Sequence, residues 1–361
     1  MLYKPDFEAA CEHMQAFWAG EPIGRPLLRV VCKSDSYRPL DESGVDLLTR
    51  KTDIDYILDR FDRELENTRY LAEAVPVYVP GLVCSDMAAF FVEDLDIRGD
   101  TVWYPEMIGD WAAHPLQFDP RNRWWQLVRW QTLAAVERCR DRYLIGVPDF
   151  QPGMDTISLL RSPARVCLDL VDNPAPVKRA VDYIIDTVYR YCYNEFRSLV
   201  ACTADLVSDW MGLFSSGNHD IIQCDFIALV GAQHFEEFCL PGIERQCRML
   251  DTSVFHLDGP DAVRHLDRLL EVRDLGAIQW VPGAGKPPAV GWLPVLKRVQ
   301  QAGKGLYISS PPEDVPEILE HLSSRGLMIA VERLFESVAE GEAFMREVER
   351  TCRPHRQVLG S

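Results

Sequence analysis

The 361-residue chain has no basic run, no stretch approaching the roughly 18 apolar residues of a membrane span, no Cys-x-x-Cys pair and no Walker or Gly-x-Gly-x-x-Gly pattern. Each absence removes a class of function. With 38 basic residues against 55 acidic ones and a net charge of −17, the chain suits neither nucleic acid nor anionic lipid, which need concentrated Lys and Arg. A nucleotide cofactor has no motif to hold it. The lack of a Gly-x-Ser-x-Gly elbow removes the usual nucleophilic serine. Eleven cysteines stand at 11, 32, 84, 139, 167, 192, 202, 224, 239, 247 and 352, several in helical apolar positions. That scatter reads as reduced, mostly buried thiols and not as a disulfide framework. The opening Met-Leu-Tyr-Lys-Pro has no apolar core before a cleavage site, so an unexported, cytoplasmic protein is expected.

What remains is an ordinary globular composition, 47% hydrophobic and 26% charged, able to bury a large core. Strand-like runs recur at 27–31, 75–79, 143–147, 205–209, 253–257, 277–281, 305–309 and 327–331. Helical periodicity lies between them, as in Ile54, Ile57, Leu58, Phe61, Leu65 and Leu71. Asn173-Pro174 opens a long helix running to about Val200, and Ser310-Pro311-Pro312-Glu313-Asp314 opens another; Gly303 and Gly326 stop the helices before the last two strands. Eight strand-helix units without a linker predict a single (β/α)8 TIM barrel over residues 1–361, with a helical extension over 1–26 and long loops at the strand C-terminal face. A doubly wound open sheet is the alternative.

The loops over 81–116 and 211–232 follow strand C-termini, where barrel active sites are built, and their aromatic content suggests a pocket for a small organic substrate. His256 and Asp258 lie two apart on an extended run and project to the same side. Imidazole and carboxylate are both ligands for Zn²⁺ or another divalent ion, and a third ligand would come from Glu332, Cys224 or Asp225. Without metal, the pair would hydrogen-bond substrate or each other. Asp209-Trp210 and Gln223-Cys224-Asp225-Phe226 place acids beside aromatics, so Asp209 and Asp225 are candidates for acid or base work. Gln279 and Trp280 end the sixth strand, and Gln223, Gln279, Trp103, Trp210 and Trp280 are the candidate substrate-binding residues.

Several segments together resemble the uroporphyrinogen decarboxylase superfamily, including its cobalamin-linked methyltransferases. They are Leu144-Ile-Gly-Val-Pro, Leu159-Leu160-Arg161-Ser162-Pro163, the helix from Pro174, Asp209-Trp210, Phe235-Glu-Glu-Phe-Cys-Leu-Pro241, and the strand ends at His256 and Gln279-Trp280. The resemblance covers most of the chain and implies a (β/α)8 barrel with its pocket at the strand C-termini. In the methyltransferase branch, a His-x-Cys pair and a later Cys hold zinc. Here Asp258 stands in the first Cys position, and Glu332 is the nearest candidate for the second. In the decarboxylase branch, an Asp after the second strand binds the substrate's pyrrole N–H groups, which implies the same role for Asp86 in Cys84-Ser85-Asp86-Met87. The branch's arginine segment has no counterpart in Val31-Cys32-Lys33-Ser34-Asp35-Ser36-Tyr37-Arg38.

The expectation is therefore a methyltransferase or demethylase acting on a small methylated substrate. Its acceptor would be a thiol or a corrinoid supplied by a separate corrinoid protein, and the active unit could be a homodimer. A uroporphyrinogen-type decarboxylase and a non-catalytic binding protein are the alternatives.

Overall fold

A computed structural model describes residues 1–82, 84–99, 101–201, 203 and 205–358. Thirteen strands are present among them: β1 (Leu27–Lys33), β2 (Thr68–Ala72), β3 (Val77–Tyr78), β4 (Asp96–Arg98), β5 (Thr101–Trp103), β6 (Leu144–Ile145), β7 (Leu206–Ser208), β8 (Phe214–Ser216), β9 (His219–Gln223), β10 (Thr252–Asp258), β11 (Ala277–Val281), β12 (Gly305–Ser310) and β13 (Leu327–Phe335). Each of the eight runs expected from the sequence contains a strand.

The main sheet has seven strands in the order β2-β1-β13-β12-β11-β10-β9. All its pairings are parallel except β1 with β2. Helices alternate with these strands, so the fold is mixed α/β around a mostly parallel sheet. The expected closed eight-stranded ladder is not formed among the described residues. Two local causes are visible. The second run shrinks to two residues because Pro76 and Pro80 flank it without N–H groups to donate. The β1 edge is then taken by β2, which pairs antiparallel from Arg29↔Ala72 to Lys33↔Thr68. The strands β3 and β6 pair with each other, and Gly146 bridges to Ser208, so the chain continues around that side in short pieces.

The periodicity that carried Leu71 into a helix fails there. The helix ends at Asn67 and Leu71 belongs to β2. The long excursion after the fourth run also holds more order than its composition suggests, namely the β7-β8 hairpin and β9, which pairs in register with β10. From Pro174 the chain is helical to Val200 through a π-helical stretch at Ile184–Tyr189, although the Asn173 side chain makes no cap. Gly303 takes a positive φ of 73° just past the helix that ends at Gln301, whereas Gly326, at 63°, lies in the turn before β13 and not at the end of the preceding helix, which stops at His321. None of the ten described cysteines is in a disulfide and seven are buried; Cys202 lies outside the described residues. Among the described residues, no helix is long and apolar enough to cross a membrane.

The segment before β1 is helical over Phe7–Ala19, and it closes one end of the sheet. Its Ala10, Met14 and Phe17 pack with Leu27, Val254, Ala277, Tyr307 and Met328, which sit at the starts of their strands. With that end plugged by apolar side chains, the opposite end, where the strands finish, is left to form a cavity.

Candidate functional site

A cavity of roughly 790 Å³ opens at the strand C-termini. Its wall combines the helical segment at residues 50–64, the turn Val79–Leu82, Asp86 after β3, Asp149 and Gln151 after β6, Trp210, and Gln223, Asp225 and His256 from β9 and β10. The cavity is within the size range of small-molecule sites.

Strand register builds its floor. His256 is aligned with Gln223 on one side and Gln279 on the other, so three polar side chains form a row across β9, β10 and β11. The Gln279 Oε1 lies 2.5 Å from His256 Nδ1. A glutamine carbonyl can only accept, so Nδ1 carries the proton and the Nε2 lone pair is left available. The Trp210 ring stands edge-on to the imidazole at 5.6 Å, and its Nε1 is buried without a partner.

One strand step further, Asp258 faces the same way as His256, and Asp225 reaches them from a 3-10 turn at Asp225–Leu229. Asp155 anchors that turn, its two oxygens accepting the backbone N–H groups of Asp225 and Phe226 at 2.9 Å each. Ligand-offering atoms of Asp225, His256 and Asp258 all lie within 4.8 Å of one another, and none of the three residues is buried. The donor set fits a divalent ion such as zinc. One imidazole with Nδ1 held by a neighbour, together with two carboxylates, would make three protein ligands and leave positions for a substrate atom. Oxygen in place of sulfur makes the site harder than a thiolate one.

Around this cluster, burial is the largest influence on the acids. It raises Asp149 to about 6, against a hydrogen bond from Gln223 and the nearby His256. It raises Asp155 to about 7, with the Asp225 charge adding to the shift and its two backbone hydrogen bonds opposing it. Asp225 is raised by the same cause; Asp258 pushes it further and His256 opposes. Although its carboxylate is open to the cavity, it lies deep enough that protein crowds it on most sides. Asp86 reaches about 8 because it is buried, with only the Leu82 N–H and the more distant Lys51 favouring ionisation. A side-chain chain connects these groups: Ser85 donates to Gln151, Gln151 donates to Gln223 at 2.7 Å, and Gln223 donates to Asp149.

The sequence-derived residues therefore divide. Asp86, Trp210, Gln223, Asp225 and His256 line the cavity, and Asp258 and Gln279 adjoin His256. Asp209 does not reach it. One of its oxygens accepts from Met211 and Leu213 N–H and the other faces His219 Nε2 at 3.0 Å, all buried. Trp280 also points elsewhere. It is aligned with Leu257, which lies one residue from His256 and so on the opposite sheet face, and it packs against Trp292 at 5.1 Å. Trp103 is exposed on the β4-β5 hairpin. Glu332 is exposed on β13, away from the Asp225–His256–Asp258 group, so Asp225 is the third ligand candidate that the geometry brings in. Cys224 is buried against Cys239.

Sequence reading missed Asp149, Gln151, Asp155 and Lys51. Asp149 had a usable signal, since it follows the end of the third strand-like run just as His256 ends the fifth. Asp155 had none, because its role depends on a loop 70 residues away.

No family model matches the chain, and no curated protein matches its sequence. Among solved structures, a methyltransferase from Methanosarcina mazei is similar, with 12% identity over 94% of this chain and 98% of that one and a TM-score of 0.56. At that identity the likeness is one of fold.

Proposed function

We propose that this chain is a methyl-transferring enzyme whose divalent metal, zinc or a harder ion, is held by Asp225, His256 and Asp258 at the floor of the cavity. Its whole length would act as one barrel-type domain. One observation carries the reading: three convergent, solvent-open ligands, with the imidazole tautomer held by Gln279, at the strand ends of a fold shared with a methyltransferase. A metal in such a site lowers the pKa of a bound substrate heteroatom and stabilises charge developing on it.

The chain's own groups have separable tasks. Gln279 orients His256, Asp155 holds the Asp225 turn, and the Trp210 ring packs edge-on against the imidazole. In a demethylation, the bond between the substrate heteroatom and its methyl carbon breaks while a bond from the acceptor to that carbon forms. The heteroatom then needs a proton. Asp149, raised to about 6 and lining the cavity, would supply it. The acceptor would be a thiol or the reduced cobalt of a corrinoid carried by a separate protein, since no nucleotide-type motif in this chain replaces it.

The test measures bound metal in purified protein and the rate of methylcobalamin formation from reduced cobalamin with methyl ethers, methylamines and methyl thioethers. One metal per chain, lost together with turnover in His256→Ala, is expected. Metal-free protein with undiminished turnover would sink the reading.

A second reading, decarboxylation of a uroporphyrinogen-type substrate, draws on Asp86, whose Oδ2 is buried without a partner beside the cavity. It meets a shortage of cations, because Arg50 and Arg60 are already bound to Glu42. Release of CO₂ from uroporphyrinogen would favour it over methyl transfer, and tight ligand capture with neither reaction would indicate a binding protein.

A further inference from the structure

The cavity wall carries two kinds of charge. Acids and His256 come from the strand ends and the turns after them, and Arg50, Lys51 and Arg60 come from the helical segment at residues 50–64. The three cations are not equivalent. Arg50 donates to the Val45 and Glu42 carbonyls and faces the Glu42 carboxylate at 3.9 Å. Arg60 is paired with Glu42 and Glu64 at 2.9 Å each. Lys51, half-buried at the same wall, makes no ion pair or side-chain hydrogen bond among the described residues. A half-buried ammonium that no carboxylate pairs with directly, set in a cavity wall, is a receptor for an anion that the protein does not itself provide.

Lys51 is also held in place. Gln131, fully buried, donates from Nε2 to the Lys51 carbonyl at 3.3 Å and accepts the Gly81 N–H on Oε1 at 2.8 Å. One buried amide thus clamps the Lys51 segment to the Gly81 turn. Lys51 is near enough for the Asp86 carboxyl to feel its charge, but the two make no ion pair. Asp86 is itself 1% exposed and its Oδ2 has no partner. A Cβ added to Gly81 would lie 2.5 Å from that oxygen, so only glycine permits this approach. The same cavity is also lined by the largely apolar side chains of Ile57, Phe61, Val77, Tyr78, Val79 and Leu82.

We infer that the substrate is a methylated carboxylic acid, with its carboxylate against Lys51, an apolar middle along Phe61 and Tyr78, and its methyl-bearing heteroatom at His256. This rests on the proposed function for the reacting end but not for the anionic end. Among the described residues that line the cavity, one unpaired ammonium with no second free cation and no arginine fork matches the single charge of a carboxylate and not a phosphate dianion.

The experiment is calorimetric titration of the full chain with methoxybutyrate, methylthiobutyrate and dimethylaminobutyrate, each beside its carboxamide. At least one carboxylate should bind about tenfold or more tightly than its amide. Lys51→Met should erase that ratio and Lys51→Arg should retain most of it, with unchanged melting temperatures showing that both variants fold. His256→Ala should keep the ratio while losing metal, which separates failure of this inference from failure of the methyl-transfer reading. Equal binding of acids and amides, a preference that survives Lys51→Met, or no binding by any of the acids at millimolar concentration would each overturn it.

Discussion

Two Asp–His pairs in this molecule use the same groups to opposite ends. Asp209 and His219 lie behind the cavity, 0–1% exposed, with every polar atom engaged. The imidazole faces the Asp209 carboxylate at Nε2 and Thr252 at Nδ1, under the Trp18 ring. Asp225 and His256 share a second imidazole-carboxylate neighbourhood, but there Gln279 satisfies one nitrogen and the other is left open beside two carboxylates. A polar pair whose capacity is used up within the protein holds the fold. A pair with capacity to spare, facing solvent, is available for chemistry. Composition cannot distinguish them.

The sharpest way to break that contrast is to remove each imidazole in turn. His256→Ala should abolish stoichiometric metal and reduce turnover by a factor of about a thousand, the order expected for losing a group that acts on the reacting centre, with little change in urea midpoint. Metal retained at full occupancy would put the two pairs on the same footing. His219→Ala should do the reverse, costing about 3 kcal/mol in urea unfolding because the buried Asp209 carboxylate loses its partner, while metal content per folded chain stays the same.

Smaller effects sharpen the boundary between site and support. Gln279→Leu removes the acceptor that holds the His256 tautomer and should weaken metal binding by about 10- to 100-fold; competition against a chromogenic chelator reads this directly. No change would mean that His256 is oriented by packing alone.

The last effect is one of pH and concerns Asp86, whose carboxyl burial raises from 3.8 to about 8. An acid with a raised pKa binds its proton better folded than unfolded. Its stabilising contribution is therefore full below 3.8 and is lost as pH rises toward about 8. Asp86→Asn cannot titrate, so the wild-type melting temperature relative to the variant should fall by a few degrees across that window. A flat difference would show that Asp86 is not buried as a neutral acid.

Much of the scaffold was legible because strand and helix periods are local properties. Ala277–Val281 was bounded correctly by its apolar run, and the side shared by His256 and Asp258 followed from a spacing of two. Leu71 was misplaced because its apolar step fits a helix as well as the strand it joins. Trp280 shows the limit in another form. A bulky aromatic at a strand end looks like a pocket wall, but alternation sends it to the opposite face from Gln279 next to it. Asp209 also ends a strand. There the chain turns back into a hairpin whose N–H groups claim its carboxylate.

The sequence by itself determined the alternation of strands and helices, the end of the sheet at which polar residues collect, and the pairing of His256 with Asp258, because each depends on side-chain direction over a few residues. Only the tertiary structure decided that Asp225 and not Glu332 joins them, that Asp149 and Lys51 face the same cavity, and that the Asp209 carboxylate is spent on His219. Those outcomes depend on register between strands and on loops held by distant groups such as Asp155 and Gln131, and no local pattern encodes a contact made across 70 or 80 residues.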